Sequence, residues 1–297
     1  MRDEQPAAAP ADAWTIRRVL GWTAQHFEKK QIDSPRLTAE VLLAHVLGCD
    51  RIRLYVDLDR PLSKQELAAY RGLIERRVQG EPTAYLTGTR DFYGRAFRVD
   101  ARVLIPRPET ELLVEAILRH IPKDAPARLL DLCSGSGCVA VTFAAERPQA
   151  SVWATDLSGD ACAVARENAE ALGVGARVTI RTGDLFEPLP PDARFDAIAA
   201  NPPYIPSAEI PGLMIEVRKE PLLALDGGED GLRVIRRIVA GARDRLKPGG
   251  VLAIEITEHQ GEAVAQLFGA AGFEAVRVEK DLARLDRLVV GTAPQAG

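Results

Sequence analysis

From Trp14 the apolar residues recur at helical spacing, through Ile16, Val19, Leu20 and Trp22 to Phe27. A second helical segment opens at Ser34-Pro35, a capping residue followed by proline in the first turn, and stops at Gly48. Leu37, Val41, Leu42, His45 and Val46 are expected to share its buried face. Ser63-Lys64-Gln65-Glu66 has the form of a capping box and starts a third helix that runs towards Gly80. Residues 14–80 are thus expected to form a small helical domain. Residues 1–13, rich in Ala, Pro and charge but without an apolar stretch, read as a flexible tail rather than a secretory signal. Between 81 and 110 the helical period is lost. Glu81-Pro82 and Gly88 break it, Asp91 to Arg95 suggests a hairpin turn, and Pro106 and Pro108 interrupt any regular element, so this stretch is expected to be a hairpin and linker.

From Glu111 to the end the pattern alternates. A helix is expected over 111–120. Short apolar runs follow at 128–132, 151–155, 178–181, 195–200 and 251–256, with helical stretches between the early ones, notably 160–172. Such alternation implies an α/β domain with a mostly parallel sheet covered on both faces. The runs at 274–278 and 287–290 follow each other closely and are expected to close the sheet as an antiparallel pair, giving seven strands in all.

Composition narrows the function classes. The chain has 297 residues and a formal net charge of -4, with only a slight basic excess in its first third. A dedicated polyanion binder would be strongly basic, so no direct nucleic-acid partner is expected. No apolar run is long enough to cross a membrane. The four cysteines, Cys49, Cys133, Cys138 and Cys162, form no C-x-x-C pair, so no metal site is expected; they read as small buried thiols in a reducing cytoplasm.

The chemistry is written at the carboxyl ends of the strands. The first apolar run ends in Cys133-Ser134-Gly135-Ser136-Gly137, a turn whose glycines let the backbone approach a ligand. The second ends in Asp156, 19 positions after Gly137, where a carboxylate suits the hydroxyls of an adenosine ribose. The third leads into Asp184-Leu185, an acid for the exocyclic amine of adenine and an apolar surface for its ring; Asp184 could instead cap the following segment. These features suit a dinucleotide or S-adenosylmethionine equally, because Gly135, Gly137 and Ala140 also fit the relaxed dinucleotide fingerprint.

The fourth run ends in Asn201-Pro202-Pro203-Tyr204. Two prolines fix the backbone and remove two N–H donors, leaving the Asn201 side-chain oxygen and the Pro202 carbonyl as a rigid pair of acceptors. Tyr204 adds a flat face for stacking. A planar amide nitrogen is a poor nucleophile with two hydrogens to place. Acceptors on both hydrogens would aim its lone pair at an electrophilic methyl group, and positioning would carry the reaction. A dehydrogenase would use the Gly-rich turn but has no use for this motif.

Asn201-Pro202-Pro203-Tyr204 resembles the motif of methyltransferases that act on planar nitrogens. Over nearly the whole chain the sequence resembles the release-factor glutamine methyltransferases (PrmC/HemK). The resemblance rests on Glu81-Pro82 with Tyr85-Leu86 and Gly88, on Leu104 to Glu111 (Leu-Ile-Pro-Arg-Pro-Glu-Thr-Glu), on Glu220-Pro221, Ala224-Leu225, Gly227-Gly228 and Asp230-Gly231-Leu232, and on Lys280-Asp281-Leu282 and Asp286-Arg287. It implies a Rossmann-like class I methyltransferase domain over 111–297, dependent on S-adenosyl-L-methionine, and a substrate-recognition role for the helical domain. Cys133, Ser134, Gly135, Ser136, Gly137, Asp156, Asp184, Leu185 and Asn201 would then hold the cofactor. Asn201, Pro202, Pro203 and Tyr204 would hold the substrate glutamine, with Arg107, Pro108 and Glu109 at the mouth. The implied substrate is the glutamine of a Gly-Gly-Gln tripeptide in class I peptide chain release factors, and the implied enzyme is a cytoplasmic monomer. The sequence departs from the family pattern at Cys133-Ser134, where Gly-Thr is commoner, and at Thr257, where Gly is common. A ribosomal-protein glutamine methyltransferase and an amino-methylating DNA enzyme are the competing readings. The latter would need a basic face and a pocket for a flipped base.

Overall fold

The computed structural model describes residues 13–295, as two compact units that meet in sequence at Gly88 and Thr89. Apart from Ala13, the tail expected over 1–13 lies outside the described residues.

The first unit contains α1 (Ile16–Lys29), α2 (Pro35–Leu47), α3 (Arg51–Val56), α4 (Lys64–Val78) and α5 (Thr83–Thr87). Its core gathers Ile16, Leu20, Phe27, Leu42, Leu43, Tyr70 and Ile74. The capping box forms at the start of α4: Glu66 N donates to Ser63 Oγ at 3.2 Å and Ser63 N to Glu66 Oε2 at 2.7 Å. Two expectations are corrected. Ser34 sits at φ 45° and its side chain caps nothing, although Pro35 does occupy the first turn. The buried face of α2 carries Ala39, Leu42 and Leu43, while Leu37 and His45 are exposed. The reason is that α2 packs on α1, α3, α4 and α5 together, so the side it turns inward is broad and includes small residues. It even buries Glu40, whose carboxylate is held by Arg36, Arg51 and the Tyr55 hydroxyl.

The second unit opens with a hairpin, β1 (Thr89–Phe92) and β2 (Arg95–Arg98). Tyr93 and Gly94 both take positive φ at its tip, the conformation that matches the twist of the flanking strands. The 81–110 stretch is therefore divided: α5 belongs to the first unit and the hairpin to the second. Next comes α6 (Glu111–His120), followed by β3 (Arg128–Leu132), α7 (Cys138–Glu146), β4 (Ser151–Asp156), α8 (Gly159–Ala171), β5 (Val178–Thr182) and β6 (Phe195–Ala200). The short strands β7 (Ile205–Pro206) and β8 (Asp226–Gly228) pair parallel to each other. The unit ends with α9 (Arg233–Ala242), β9 (Leu246–Glu255), α10 (Gly261–Ala270), β10 (Glu274–Lys280) and β11 (Asp286–Thr292).

The seven-stranded sheet has the order β10-β11-β9-β6-β3-β4-β5. Pairs among β9, β6, β3, β4 and β5 are parallel, and β11 runs antiparallel to both β9 and β10. Both faces are apolar because both are covered. Leu129, Ala197, Ala199, Val251 and Ala253 join the core with α6, α7, α8 and the hairpin residues Phe92 and Phe97. The alternate residues Leu130, Leu132, Ile198, Leu252 and Ile254 join the core with α9 and α10.

Candidate active site

Strand register builds the site. Leu132 pairs with both Thr155 and Ala200, and Ala200 pairs with Ile254. The next residue on each of the four strands therefore falls in one row: Cys133, Asp156, Asn201 and Glu255. The chain leaves β3 for β4 on one side and returns to β6 on the other, so the row lies at the crevice where the sheet order reverses. A cavity of about 590 Å³ opens there, lined by Cys133 to Ser136, Asp156, Asp184, Leu185, Asn201 and Pro203 among others.

The turn after β3 is held by its own backbone and by Asp156. Gly137 N donates to Ser134 O at 2.7 Å, and Ser134 N donates to Thr155 O at 3.1 Å. Asp156 accepts from Gly135 N and from Ser158 N, both at 2.8 Å, which fixes its carboxylate at the cavity wall. Cys133 takes φ 58°, a conformation that costs a residue with a side chain roughly 1–2 kcal/mol and costs glycine nothing comparable. That strain is the physical reason glycine is easier at this position. Cys133 is half-buried on the cavity wall, not fully buried as its apolar surroundings in sequence suggest. The buried Ser134 hydroxyl lines the cavity and has no partner in the protein. Gly137 does not line the cavity. A Cβ there would stand 3.0 Å from Ala165 Cβ, so this glycine lets α7 approach α8.

Sequence reasoning overlooked Asp131. It is buried in β3 and lines the cavity, and its carboxyl accepts from Ala140 N at 3.1 Å. Burial pushes it up to about 8. An acid inside an otherwise apolar strand that leads into a Gly-rich turn was the available signal. Asp184 is where it was expected, but its carboxylate is already paired with Arg237 at 2.8 Å. Leu185 is buried on the wall, with its carbonyl anchored by the Thr155 hydroxyl at 2.9 Å.

The cavity is acidic in net effect. Its lining arginines, Arg102, Arg107, Arg233 and Arg237, each pair with a carboxylate, from Asp100, Glu220, Asp226 and Asp184 respectively. Asp131 and Asp156 form no ion pair among the described residues, and burial raises the pKa of both. Once ionised, such a wall favours a cationic ligand, and a bound cation in turn lowers the raised pKa of its carboxyls.

Asn201 closes the other side. Its Nδ2 donates to the Thr110 hydroxyl at 3.1 Å, while its Oδ1 is buried without a partner. Tyr204 donates its hydroxyl to Glu255 Oε1 at 3.1 Å, and its carbonyl accepts from Gln260 Nε2 at 3.0 Å. Pro203 lines the cavity, whereas Pro202 and Tyr204 pack behind the wall. The Gly227 and Gly231 positions are explained by close approach to this loop. A Cβ on Gly227 would lie 2.8 Å from Tyr204 Cα, and one on Gly231 would lie 2.3 Å from Tyr204 O.

At the mouth, Arg107 lines the cavity, but Pro108 and Glu109 are exposed on a 3-10 turn away from it. Leu104, Pro106 and Thr110 line it in their place. Glu220 holds this segment, accepting from Ile105 N at 2.9 Å and from Arg107. The exposed pair Leu222-Leu223, also unforeseen, contributes apolar surface at the rim. Among the described residues no group of His, Cys, Asp or Glu is placed to hold a metal ion, and no helix is long and apolar enough to cross a membrane.

Comparison with known proteins agrees with this geometry. Residues 18–88 match the PrmC N-terminal domain family, and residues 109–216 match the methyltransferase small domain family. A release factor glutamine methyltransferase of Geobacter sulfurreducens is 47% identical over 281 residues, covering 94% of this chain and 97% of the relative. One from Moorella thermoacetica is 43% identical over 274 residues, covering 92% and 96%. Among solved structures, a methyltransferase from Pyrococcus furiosus superposes with a TM-score of 0.52 at 16% identity, over 74% of this chain and 97% of that one, a likeness of fold alone. A buried amide acceptor at the switch point of a methyltransferase sheet, with close relatives along almost the full length, leads to one assignment: the chain belongs to the release factor glutamine methyltransferase family.

Proposed function

We propose that this protein transfers a methyl group from S-adenosyl-L-methionine to the side-chain amide nitrogen of the glutamine in the Gly-Gly-Gln motif of class I peptide chain release factors. The observation that carries the reading is the buried Asn201 Oδ1, which has no partner among the described residues and stands in the same row as the cofactor turn. Leaving a buried acceptor unmet costs roughly 1–3 kcal/mol, so its natural complement is a ligand N–H. The relatives named above act on a glutamine of release factors, which supplies that N–H.

The residues present fit S-adenosylmethionine better than a dinucleotide. Asp131 and Asp156 form an acidic wall suited to a sulfonium and an ammonium, and Asp156 is held where a ribose could donate to it. The unpartnered Ser134 hydroxyl and the backbone of residues 133–136 would hold the polar end of the cofactor. When bound, the cofactor supplies a methyl group on sulfur that leaves with its bonding pair on the sulfur. Asn201 Oδ1 accepts one hydrogen of the glutamine amide; the Pro202 ring packs behind the wall, so only its carbonyl could serve as the second acceptor. With both hydrogens held, the nitrogen lone pair would be free to take the methyl group that the cofactor supplies. The nitrogen then carries a positive charge and releases one hydrogen as a proton readily, so no strong base is required. Positioning of this kind accounts for most of the rate. The helical first unit would contact the body of the release factor, and the chain would work as a cytoplasmic monomer.

The test is incorporation of labelled methyl from S-adenosylmethionine into an unmethylated class I release factor, run beside a ribosomal-protein fraction from the same cells. Label in the release factor supports the reading. Label confined to a ribosomal protein transfers the assignment to that substrate.

A further inference from the structure

Behind Asn201 lies a buried polar network of Thr110, Glu255 and Tyr204. Thr110 is buried, and its hydroxyl accepts from Asn201 Nδ2 at 3.1 Å. An oxygen that accepts in this way keeps its own hydrogen to donate, and the carboxyl of Glu255 adjoins it. Glu255 is buried in β9, one strand over from Asn201. It receives the Tyr204 hydroxyl on Oε1, while its Oε2 is buried with no hydrogen-bond partner among the described residues. We infer that Glu255, acting through the Thr110 hydroxyl, is the positioning group that fixes which end of the Asn201 amide faces the substrate. The inference rests on the reading of Asn201 as the acceptor for the substrate amide.

The logic is one of donor direction. An ionised Glu255 only accepts, so the Thr110 hydrogen is drawn towards the carboxylate and Thr110 offers Asn201 only a lone pair. Asn201 must then present Nδ2 to Thr110 and Oδ1 to the cavity. A neutral Glu255 can donate instead. Thr110 is then free to donate to Asn201, the amide turns over, and a donor faces the substrate N–H. The same carboxylate holds the Tyr204 hydroxyl, so both ends of the Asn201-to-Tyr204 loop answer to one charge.

The charge is poised to matter. Burial raises Glu255 to about 7, against the Thr110 and Tyr204 hydroxyls, which favour the charged form. Glu109 adds to the rise and Arg287 opposes it. The Cys138 thiol also faces it, and burial keeps that thiol protonated. Arg287 is itself tied to Asp281 at 2.9 Å, so it does not neutralise Glu255 directly.

The full-length enzyme tests this with two readouts. The first is kcat and KM for methyl transfer to a class I release factor between about pH 6 and 8.5, near the reference range of a raised carboxyl. Glu255→Gln keeps the shape but presents an NH2 group to one of the two hydroxyls. It is expected to lower kcat about 10- to 100-fold, as loss of a group behind a contacting side chain does, while cofactor affinity stays within about threefold. Thr110→Val is expected to match it and Thr110→Ser to restore activity. The wild-type kcat is expected to fall as pH drops through about 7, and the Glu255→Gln profile to be flat over that step. The second readout needs no substrate: the side-chain amide resonances of Asn201 in 15N-asparagine-labelled enzyme should shift with the same midpoint and stay still in Glu255→Gln. Wild-type turnover in Glu255→Gln, an Asn201 amide indifferent to pH, or a parallel loss of cofactor binding in both variants overturns the positioning role. A wild-type enzyme that fails to methylate the release factor overturns the functional reading instead, and the amide resonances still decide this one.

Discussion

Asn201 carries an unusual debt for a single residue: its Nδ2 is satisfied by Thr110 and its Oδ1 is buried with nothing to accept. Truncation to alanine removes the acceptor without touching the turn after β3. Turnover of Asn201→Ala is expected to fall by about 10²–10³, the loss typical of one positioned polar group, with cofactor affinity nearly unchanged. Steady-state kinetics with calorimetry of cofactor binding check both halves, and near-normal turnover would refute the assignment. Asp156→Ala should do the reverse. Its carboxylate bonds Gly135 N and Ser158 N at 2.8 Å, so its loss weakens cofactor binding by removing a ribose acceptor and loosening the turn. Unchanged calorimetric affinity counts against that role. At this scale the sequence was informative wherever a residue type had one evident use, as with Asn201, Asp156 and Leu185. Asp131 and Glu255 escaped notice because their importance depends on burial and on strand register, and neither is visible in a local motif.

At the scale of elements, the Asn201-to-Tyr204 loop is clamped by its neighbours. Gly231 sits at φ 74°, and a Cβ there would lie 2.3 Å from Tyr204 O. Gly231→Ala should therefore displace the loop. An αL penalty of roughly 1–2 kcal/mol is the minimum expected cost, and the clash adds to it. Lower thermal stability together with lower kcat is the expected result, and an unchanged enzyme would show that the loop is free of this clamp. The elements legible in sequence were those with explicit boundaries. The box at Ser63 and Glu66 marks α4, and Phe195–Ala200 is apolar apart from Asp196. In contrast, α9 and α10 start without a side-chain cap, and α10 both begins with glycine and contains another, so neither announces itself. The strand β9 extends back through Pro248 and Gly249 because the pairing with β6 shifts register between Phe195 and Ala197. A proline followed by glycines hides that extension. The face of α2 was misread because a helix packed against four others has no narrow apolar stripe.

For the molecule as a whole, charge and pH connect folding with ligand binding. Asp131 and Glu255 have folded-state pKa values raised to about 8 and about 7 by burial. The folded state therefore holds protons that the unfolded chain releases near pH 4, and the stability they contribute is lost as pH rises towards 7 and 8. His120 works the other way. Partial desolvation lowers its pKa, and because the side chain is largely exposed the small contribution it makes is lost as pH falls below about 6.5. The difference between wild type and Asp131→Asn isolates one term: the gap in Tm should widen in favour of the variant as pH rises from about 5 to 8.5. A gap independent of pH would mean that Asp131 is ionised throughout. A cationic cofactor should favour the ionised wall and so release protons on binding. Below about pH 7.5, where an α-amino group keeps its proton, binding enthalpies in buffers of different ionisation heat should report that release. They should report less of it for Asp131→Asn. The mostly parallel sheet was legible from alternation alone, but its strand order and the acidity of the cavity were not, because the latter depends on which arginines are already paired.

The central claim is that one nitrogen is methylated. Tandem mass spectrometry of a class I release factor, after reaction with the purified enzyme and S-adenosylmethionine, tests it most directly. The account predicts a single added methyl on the glutamine side chain of Gly-Gly-Gln, lost when Asn201 is replaced by alanine. A methyl on another residue, or the same modification at full rate with Asn201→Ala, would contradict it.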